Sequence, residues 1–437
     1  MKIYDVIGIG IGPFNLGLAA LLNDKPIKSI FFDKKENFCW HPGLMMNWTT
    51  LQVPFLADLV TMADPTNRFT FLNYLSEKNR LYKFYFKENF FIPRQEYNDY
   101  CSWVAKSCDS CKFGYEVTNI EYLKESNNEF WNVTVKDKHD NKSSYLTRSI
   151  VLGLGTSPQL PCHIANTENV HHSSEYLNIK NKTLKDQHIT LIGSGQSAGE
   201  IFLDLMKSKN DSTKVTWLTR SKGFFPMEYS KLGLEHFSPD YIDYFYNLCD
   251  TKKPELLKEQ DLLYKGISFE TISDIYDVRY EETIQNKNNA ELIANSELIT
   301  VNNSSKLYCS FYHNQQGKDF TIKTDRVIAA TGYKTDINNA LKNINKFIKR
   351  DENNQLNITR DYKLVTQEIN LNIFVQNAEM HTHGVGTPDL GLGAYRNTII
   401  ANKLLNEEAF KIPLNNAFSS FGIPKKYLIQ KTNIKVA

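Results

Sequence analysis

Short apolar runs that break into glycine-rich turns recur along this chain. Residues 3–9 (IYDVIGI) are rich in β-branched side chains and read as a strand. They run into Gly8, Gly10 and Gly12, after which Pro13 opens a helical pattern over 13–23. A second strand pattern follows at 28–33 (KSIFFD), completing a compact βαβ unit. The same order of strand, turn and helix returns in ITLIGSGQSAGE, with Gly193, Gly195, Gln196 and Ser197, followed by a strand pattern at 214–219. Two later runs, 149–161 and 325–336, each pass from an apolar strand into a Gly/Thr turn, and the second carries Thr331, Gly332 and Tyr333. Residues 229–284 differ in texture. Tyr241, Tyr244, Phe245 and Leu248, then Ile272, Ile275 and Tyr276, recur at helical spacing, which predicts a small helical insert against a site. The Asn-rich stretch 285–318 reads as strands with loops.

Glycines between a strand and a helix allow a tight turn and let the backbone approach a pyrophosphate, whose charge meets the free N–H groups of the helix start. One such turn holds one dinucleotide, so two turns imply two. Asp33 ends the second strand, where a carboxylate accepts from ribose hydroxyls and repels a 2′-phosphate, which favours FAD over NADP at the first turn. The matching strand of the second unit ends in Arg220, Ser221 and Lys222, which suits the 2′-phosphate of NADPH. A plain surface turn is the alternative for either set. The expected architecture is α/β: two dinucleotide-binding, Rossmann-like domains and a small helical substrate insert. The FAD domain spans 1–160 and 321–437, the NADPH domain 161–228 and 285–320, and the insert 229–284.

The 437 residues are 41% hydrophobic and 23% charged, ordinary values for a folded chain of two or three domains. A net charge of +2 without a basic stripe argues against a nucleic-acid partner. No apolar run approaches the roughly 20 residues of a membrane span. A strand starting at residue 3 leaves no room for a leader, and seven cysteines suit a reducing compartment, so a cytoplasmic location is expected. Cys108 and Cys111 form a CxxC, either a redox dithiol or two reduced thiols on a polar turn. His381 and His383 lack a third ligand at suitable spacing, so no metal is expected.

Between the turns lies FCWHPGLMMNWTTLQVPFLADLVTMADPTNRFTFLNYL, and near the end NAEMHTHGVGTPDLGLGAYRN. With GSGQSAGE, these segments resemble the N-hydroxylating flavin monooxygenases of siderophore biosynthesis, over nearly the whole chain. That resemblance implies FAD, NADPH and O2, with a C4a-hydroperoxyflavin transferring oxygen to a neutral primary amine. It implies that Gln52 sits near flavin and NADP⁺, that Trp40 and His41 lie in a WHPG turn beside the isoalloxazine, and that the protein is a homo-oligomer, dimer or tetramer. His41 would be either a proton relay or a ring packed on the flavin. Two other classes are weaker fits. A non-oxygenase NADPH–flavin reductase would want a dithiol near the second turn. A Baeyer–Villiger or sulfur-oxidising enzyme would want a leading Phe and Gly that NVHHSSEYL lacks.

Members acting on lysine or ornithine carry FLKDLV, whose lysine pairs with the substrate α-carboxylate. Here the segment is FLADLV, with Ala57. Amino-acid members also carry a serine in an LLS-type segment. Here Asp389, Leu390 and Gly391 stand in that region, with a glycine in place of the serine. A buried carboxylate without a partner costs several kcal/mol. The substrate is therefore expected to have a second cationic end in place of a carboxylate, held by Asp389, Glu228 or Glu270. This pattern resembles the diamine branch, with putrescine ahead of cadaverine. Histamine also lacks a carboxylate, and lysine would remain possible if Lys265 replaced the missing lysine.

Overall fold

A computed structural model of the chain describes residues 2–161, 164, 166–303 and 307–428. The final residues 429–437, assigned above to the first dinucleotide unit, lie outside the described residues, as do 162, 163, 165 and 304–306 of the second. Among the described residues no helix is long and apolar enough to cross a membrane.

Strands β1 (Ile3–Ile9), β2 (Ser29–Asp33), β3 (Cys111–Phe113), β4 (Tyr115–Glu125), β5 (Asn128–Asp137) and β6 (Lys142–Leu152) form one sheet in the order β3-β2-β1-β6-β5-β4. β3, β2, β1 and β6 pair in parallel, with Ile7 between Ile30 and Ile150. β4, β5 and the first half of β6 form an antiparallel meander. The helix Pro13–Leu22 covers the parallel part. Its residues from Asn15 to Leu22 are buried, because the final helix Gly393–Leu405 lies on its other side. Gly17 permits that approach: a Cβ there would stand 2.8 Å from both Asn397 Nδ2 and the Leu59 carbonyl. Each fully buried Leu along this helix contributes about 1.5–3 kcal/mol.

The chain leaves through β7 (Ser157–Pro158) and enters a second sheet containing β8 (Val170–His172), β9 (His188–Ile192), β10 (Lys214–Leu218) and β11 (Ala290–Ile293). An antiparallel meander of β12 (Ser296–Asn303), β13 (Leu307–His313) and β14 (Lys318–Thr324) follows. β15 (Arg326–Ala329) then completes the second sheet, all parallel, in the order β11-β10-β9-β15-β8, so this strand, assigned to the first unit from sequence, belongs by its pairing to the second. β16 (Tyr333–Lys334) leads back to β17 (Asn372–Val375), which pairs in parallel with the second half of β6. Residues 3–152 and 372–375 thus share one sheet. The outgoing and returning segments are paired, β7 antiparallel to β16.

The stretch 229–284 is helical, as its periodicity predicts, but it divides between two locations. Pro239–Tyr246 packs on the first unit, where Arg360 holds Asp243 and the Tyr395 hydroxyl. Phe269–Ile284 instead packs on helix Gln196–Ser208 and leads into β11 as the crossover of the second sheet. Gly199 marks this contact, with a Cβ position only 2.8 Å from Ile267 Cγ2. The two sheets meet through a shared apolar cluster. Leu44 and Met46 of the first unit pack with Tyr176, Ile179 and Ile201 of the second. Gly43 is essential there, since a Cβ would fall 1.7 Å from the Ser174 carbonyl oxygen.

Candidate active site

Each glycine turn opens a helix, and the second borders a cavity between the two units. Gly8 lies under the Phe31 ring, 2.0 Å from where its Cβ would be. Gly10 has φ 85°, and a Cβ would meet the Gly153 carbonyl at 2.3 Å. Gly12 has open space beside it and caps the helix that Pro13 begins. The turn therefore offers room at the helix N-terminus, the arrangement an anionic pyrophosphate needs. Asp33 is tied to this turn, its Oδ2 accepting from Ile11 N at 2.8 Å and its Oδ1 from Lys35 N at 2.9 Å. Asn15, not singled out by the sequence reading, anchors the turn from below. Its amide donates to the Gly10 and Val151 carbonyls, and its Oδ1 accepts from Gln376 at 2.7 Å.

The second turn repeats the plan. Gly193 has φ 136° and sits 2.3 Å, measured from an added Cβ, from the Ala330 carbonyl. Gly195 caps helix Gln196–Ser208, with only the Lys265 carbonyl near it, at 3.6 Å. Ser197 opens on the cleft, whereas the Gln196 amide is engaged internally: Oε1 accepts from Ser268 N and Nε2 donates to Glu200. Arg220 and Lys222 are exposed just past β10, with no ion pair among the described residues. Between them Ser221 meets Ser194 of the turn at 2.9 Å. Two free cations and a hydroxyl beside a helix N-terminus fit a second phosphate-bearing ligand.

A cavity of about 210 Å³ lies beside the second turn, lined by Gln52, Ser173, Ser197, Lys265, Ala330 and Tyr333 among others. Gln52 is the informative member. Its Nε2 is buried with no partner among the described residues, while its backbone oxygen accepts from the Tyr229 hydroxyl at 2.5 Å. A sealed amide donor left unpaired costs roughly 1–3 kcal/mol, and this one belongs to a residue that lines the cavity, where a ligand acceptor would pair it. Thr331 and Gly332 hold the returning segment to the outgoing one through Gln159, and the Gly332 carbonyl also accepts from His172. Tyr333 packs edge-on against His41 and His172, with ring centroids 5.8 and 5.0 Å away.

His41 takes a left-handed backbone, φ 48°, at the start of the turn Pro42–Leu44, and Trp40 packs edge-on to it and to Tyr97. Desolvation, then the positive charges of Arg94 and Lys35, lower the His41 imidazole below its ordinary range, so it is neutral near pH 7. His381 and His383 bond to the carbonyls of Leu356 and Arg360, and among the described residues no cluster of three or more metal-ligating side chains occurs. Cys108 and Cys111 lie at the β3 edge of the first sheet, remote in topology from the second turn.

The two departures in the motif segments come together in space. A Cβ built on Gly391 would stand 2.8 Å from Asp389 Oδ1 and 3.8 Å from Ala57 Cβ. Any side chain at 391 would crowd the carboxylate. Burial pushes Asp389 up to about 6, against the pull of the Gly391 and Leu392 amides and of Arg396. Leu390 packs into the first unit's core beside it. Burial, then the charges of Asp389 and Glu270, raise the Tyr229 hydroxyl to about 12, and that hydroxyl donates to the Gln52 backbone oxygen. Glu228 is occupied locally, accepting from Ser230 N at 2.7 Å. Lys265 is held by Asp261 at 2.6 Å.

Comparison with known proteins converges on one chemistry. The sequence model of the L-lysine 6-monooxygenase/L-ornithine 5-monooxygenase family matches residues 2–335. The putrescine N-hydroxylase of Shewanella oneidensis is 44% identical over 427 residues, covering 96% of this chain and 84% of that protein. The FAD-bound cadaverine monooxygenase of the Erwinia amylovora desferrioxamine pathway superposes with a TM-score of 0.92 at 37% identity, over 97% of this chain and 99% of that one. The ornithine N-hydroxylase of Kutzneria sp. 744, solved with reduced FAD, NADP⁺ and L-ornithine, gives 0.88 at 25% identity, over 93% and 99%.

Proposed function

Because the chain belongs to the L-lysine 6-monooxygenase/L-ornithine 5-monooxygenase family, we propose that it N-hydroxylates a primary aliphatic diamine, putrescine or cadaverine, for hydroxamate siderophore assembly. It is a flavin-dependent N-hydroxylating monooxygenase using FAD, NADPH and O2. When bound, FAD and NADPH supply the hydride and the activated oxygen that the side chains of the cleft lack. The chain's own task is placement. Gly8, Gly10, Gly12, Pro13 and Asp33 hold the flavin nucleotide, with Trp40 packed nearby. Gly193, Gly195, Ser197, Arg220 and Lys222 receive NADPH, and Thr331, Gly332 and Tyr333 close the floor. Gln52 offers its unpaired amide to the cofactors, and neutral His41 stands at their edge.

The adjacency of Ala57, Gly391 and Asp389 carries the substrate reading. Where an amino-acid enzyme would present a cation, this chain has a methyl group close to a carboxylate. Asp389 takes the far ammonium, with Glu270 as a secondary attraction. The reacting amine must be neutral, yet an alkyl ammonium has a pKa near ~10.4 in water. A site that excludes water favours the neutral form, so turnover rises from neutral to alkaline pH. We place the enzyme in the cytoplasm and expect a homo-oligomer, which light scattering measures directly.

The deciding assay compares NADPH-dependent hydroxylamine formation with putrescine, cadaverine, histamine, lysine and ornithine. A diamine should give the highest kcat/KM. Lysine in first place would overturn the reading of Ala57 and Asp389.

A further inference from the structure

A chain of polar contacts, part-buried at its centre, links the two units. Arg94 begins helix Arg94–Ser107 in the first unit. Its guanidinium grips Glu200 of the second unit in a fork, Nη1 to Oε2 at 2.7 Å and Nη2 to Oε1 at 2.6 Å. The side chains are 12% and 2% exposed, so the pair is nearly dry. Arg94 Nε also donates to the Thr50 carbonyl at 3.1 Å, two residues before Gln52. Glu200 lies one turn into the helix that Gly195 caps, and its Oε1 accepts from Gln196 Nε2 at 2.8 Å. Gln196 Oε1 in turn accepts from Ser268 N at 2.7 Å, at the start of the crossover helix. The segment carrying Gln52 and the helix of the second glycine turn are thus joined through one planar group.

Stability alone explains this poorly. A dry ion pair across an apolar interface is often no more stabilising than well-packed hydrophobic residues of similar volume. A bidentate Arg–carboxylate fork does add directional constraint, which a hydrophobic contact lacks. We infer that Arg94 and Glu200 are positioning residues that fix the second glycine turn relative to Gln52, and so the placement of the nicotinamide against the flavin. This rests on the reading of the cleft as a flavin–NADPH site. Hydride transfer needs reacting atoms in close alignment, and a displacement of about 1 Å can cost about 100-fold.

The test is anaerobic flavin reduction in the FAD-loaded enzyme, which needs no amine and so stands apart from the substrate assignment. Arg94→Met should slow reduction by NADPH about 10- to 100-fold and leave reduction by dithionite unchanged. Arg94→Lys keeps the charge but loses the fork, and should fall between. Hydrogen exchange on the cofactor-free chain should quicken at 44–50 and 196–200 in Arg94→Met, with β1 and β2 unaffected. A FAD-loaded Arg94→Met reduced by NADPH at the wild-type rate would overturn the inference, as would equal slowing with both reductants. If the single variant fails to hold FAD, the Arg94→Met/Glu200→Met double variant restores packing without charge. Its reduction by NADPH should stay slow, and a wild-type rate there is equally decisive. If neither variant holds FAD, unchanged exchange at 44–50 and 196–200 would reject the clasp. A wild-type flavin that NADPH does not reduce would instead refute the cofactor reading itself.

Discussion

A donor pair sealed from water with nothing to bond costs roughly 1–3 kcal/mol, and Gln52 Nε2 is in that state in the cofactor-free chain. Gln52→Ala should therefore leave the melting temperature of the cofactor-free protein unchanged or slightly higher, while the loaded enzyme releases more peroxide per NADPH consumed. Calorimetry and a peroxide assay read the two halves. Asp389 has the opposite character: a carboxylate raised to about 6 by burial. As pH falls through about 6 it takes a proton and loses the charge that attracts an ammonium, so kcat/KM for the diamine should drop on that limb. Asp389→Asn should remove the limb and lower kcat/KM above about pH 6, by about 2–4 kcal/mol or roughly 30- to 1000-fold, with the two enzymes converging at lower pH. Ala57→Lys should also depress diamine turnover, since the added ammonium repels the substrate and competes for Asp389. These two positions were legible in the sequence because a known motif made their departure visible. Their contact through Gly391 was not, since it joins residues more than 330 positions apart.

Elements were legible to the extent that local pattern sets them. Both strand–turn–helix units and the helical character of 229–284 follow from periodicity and glycine placement. Periodicity states which face of a helix is buried, but not what it is buried against. That is why Phe269–Ile284 reads with the insert although it packs on helix Gln196–Ser208 of the second unit. Glycines likewise look alike in sequence and differ in space. Gly12, with φ −82° and open surroundings, tolerates a methyl group without strain. Gly12→Ala should fold normally and lose FAD affinity by about tenfold or more, because the group it obstructs is the ligand. Gly10→Ala should damage the fold itself, at a cost of about 1–3 kcal/mol for the backbone alone. Urea unfolding of the two cofactor-free variants separates these outcomes.

At the scale of the molecule, the Arg94–Glu200 fork and the Leu44–Met46 patch had no signature in sequence. Side chains 106 positions apart pair only after both sheets exist. Translation delivers β6 long before β17, its parallel neighbour at Ser149–Leu152. Everything between β7 and β16 is then, topologically, the loop of one hairpin. Until that loop condenses into its own sheet, the second half of β6 presents an unpaired strand edge, the kind of surface on which chains associate wrongly. The nascent protein should therefore depend on chaperone shielding in that interval. In pulse-labelled exchange, protection at β9 and β15 should precede protection at β17. A β17 protected first would show that the first sheet closes without waiting for its guest.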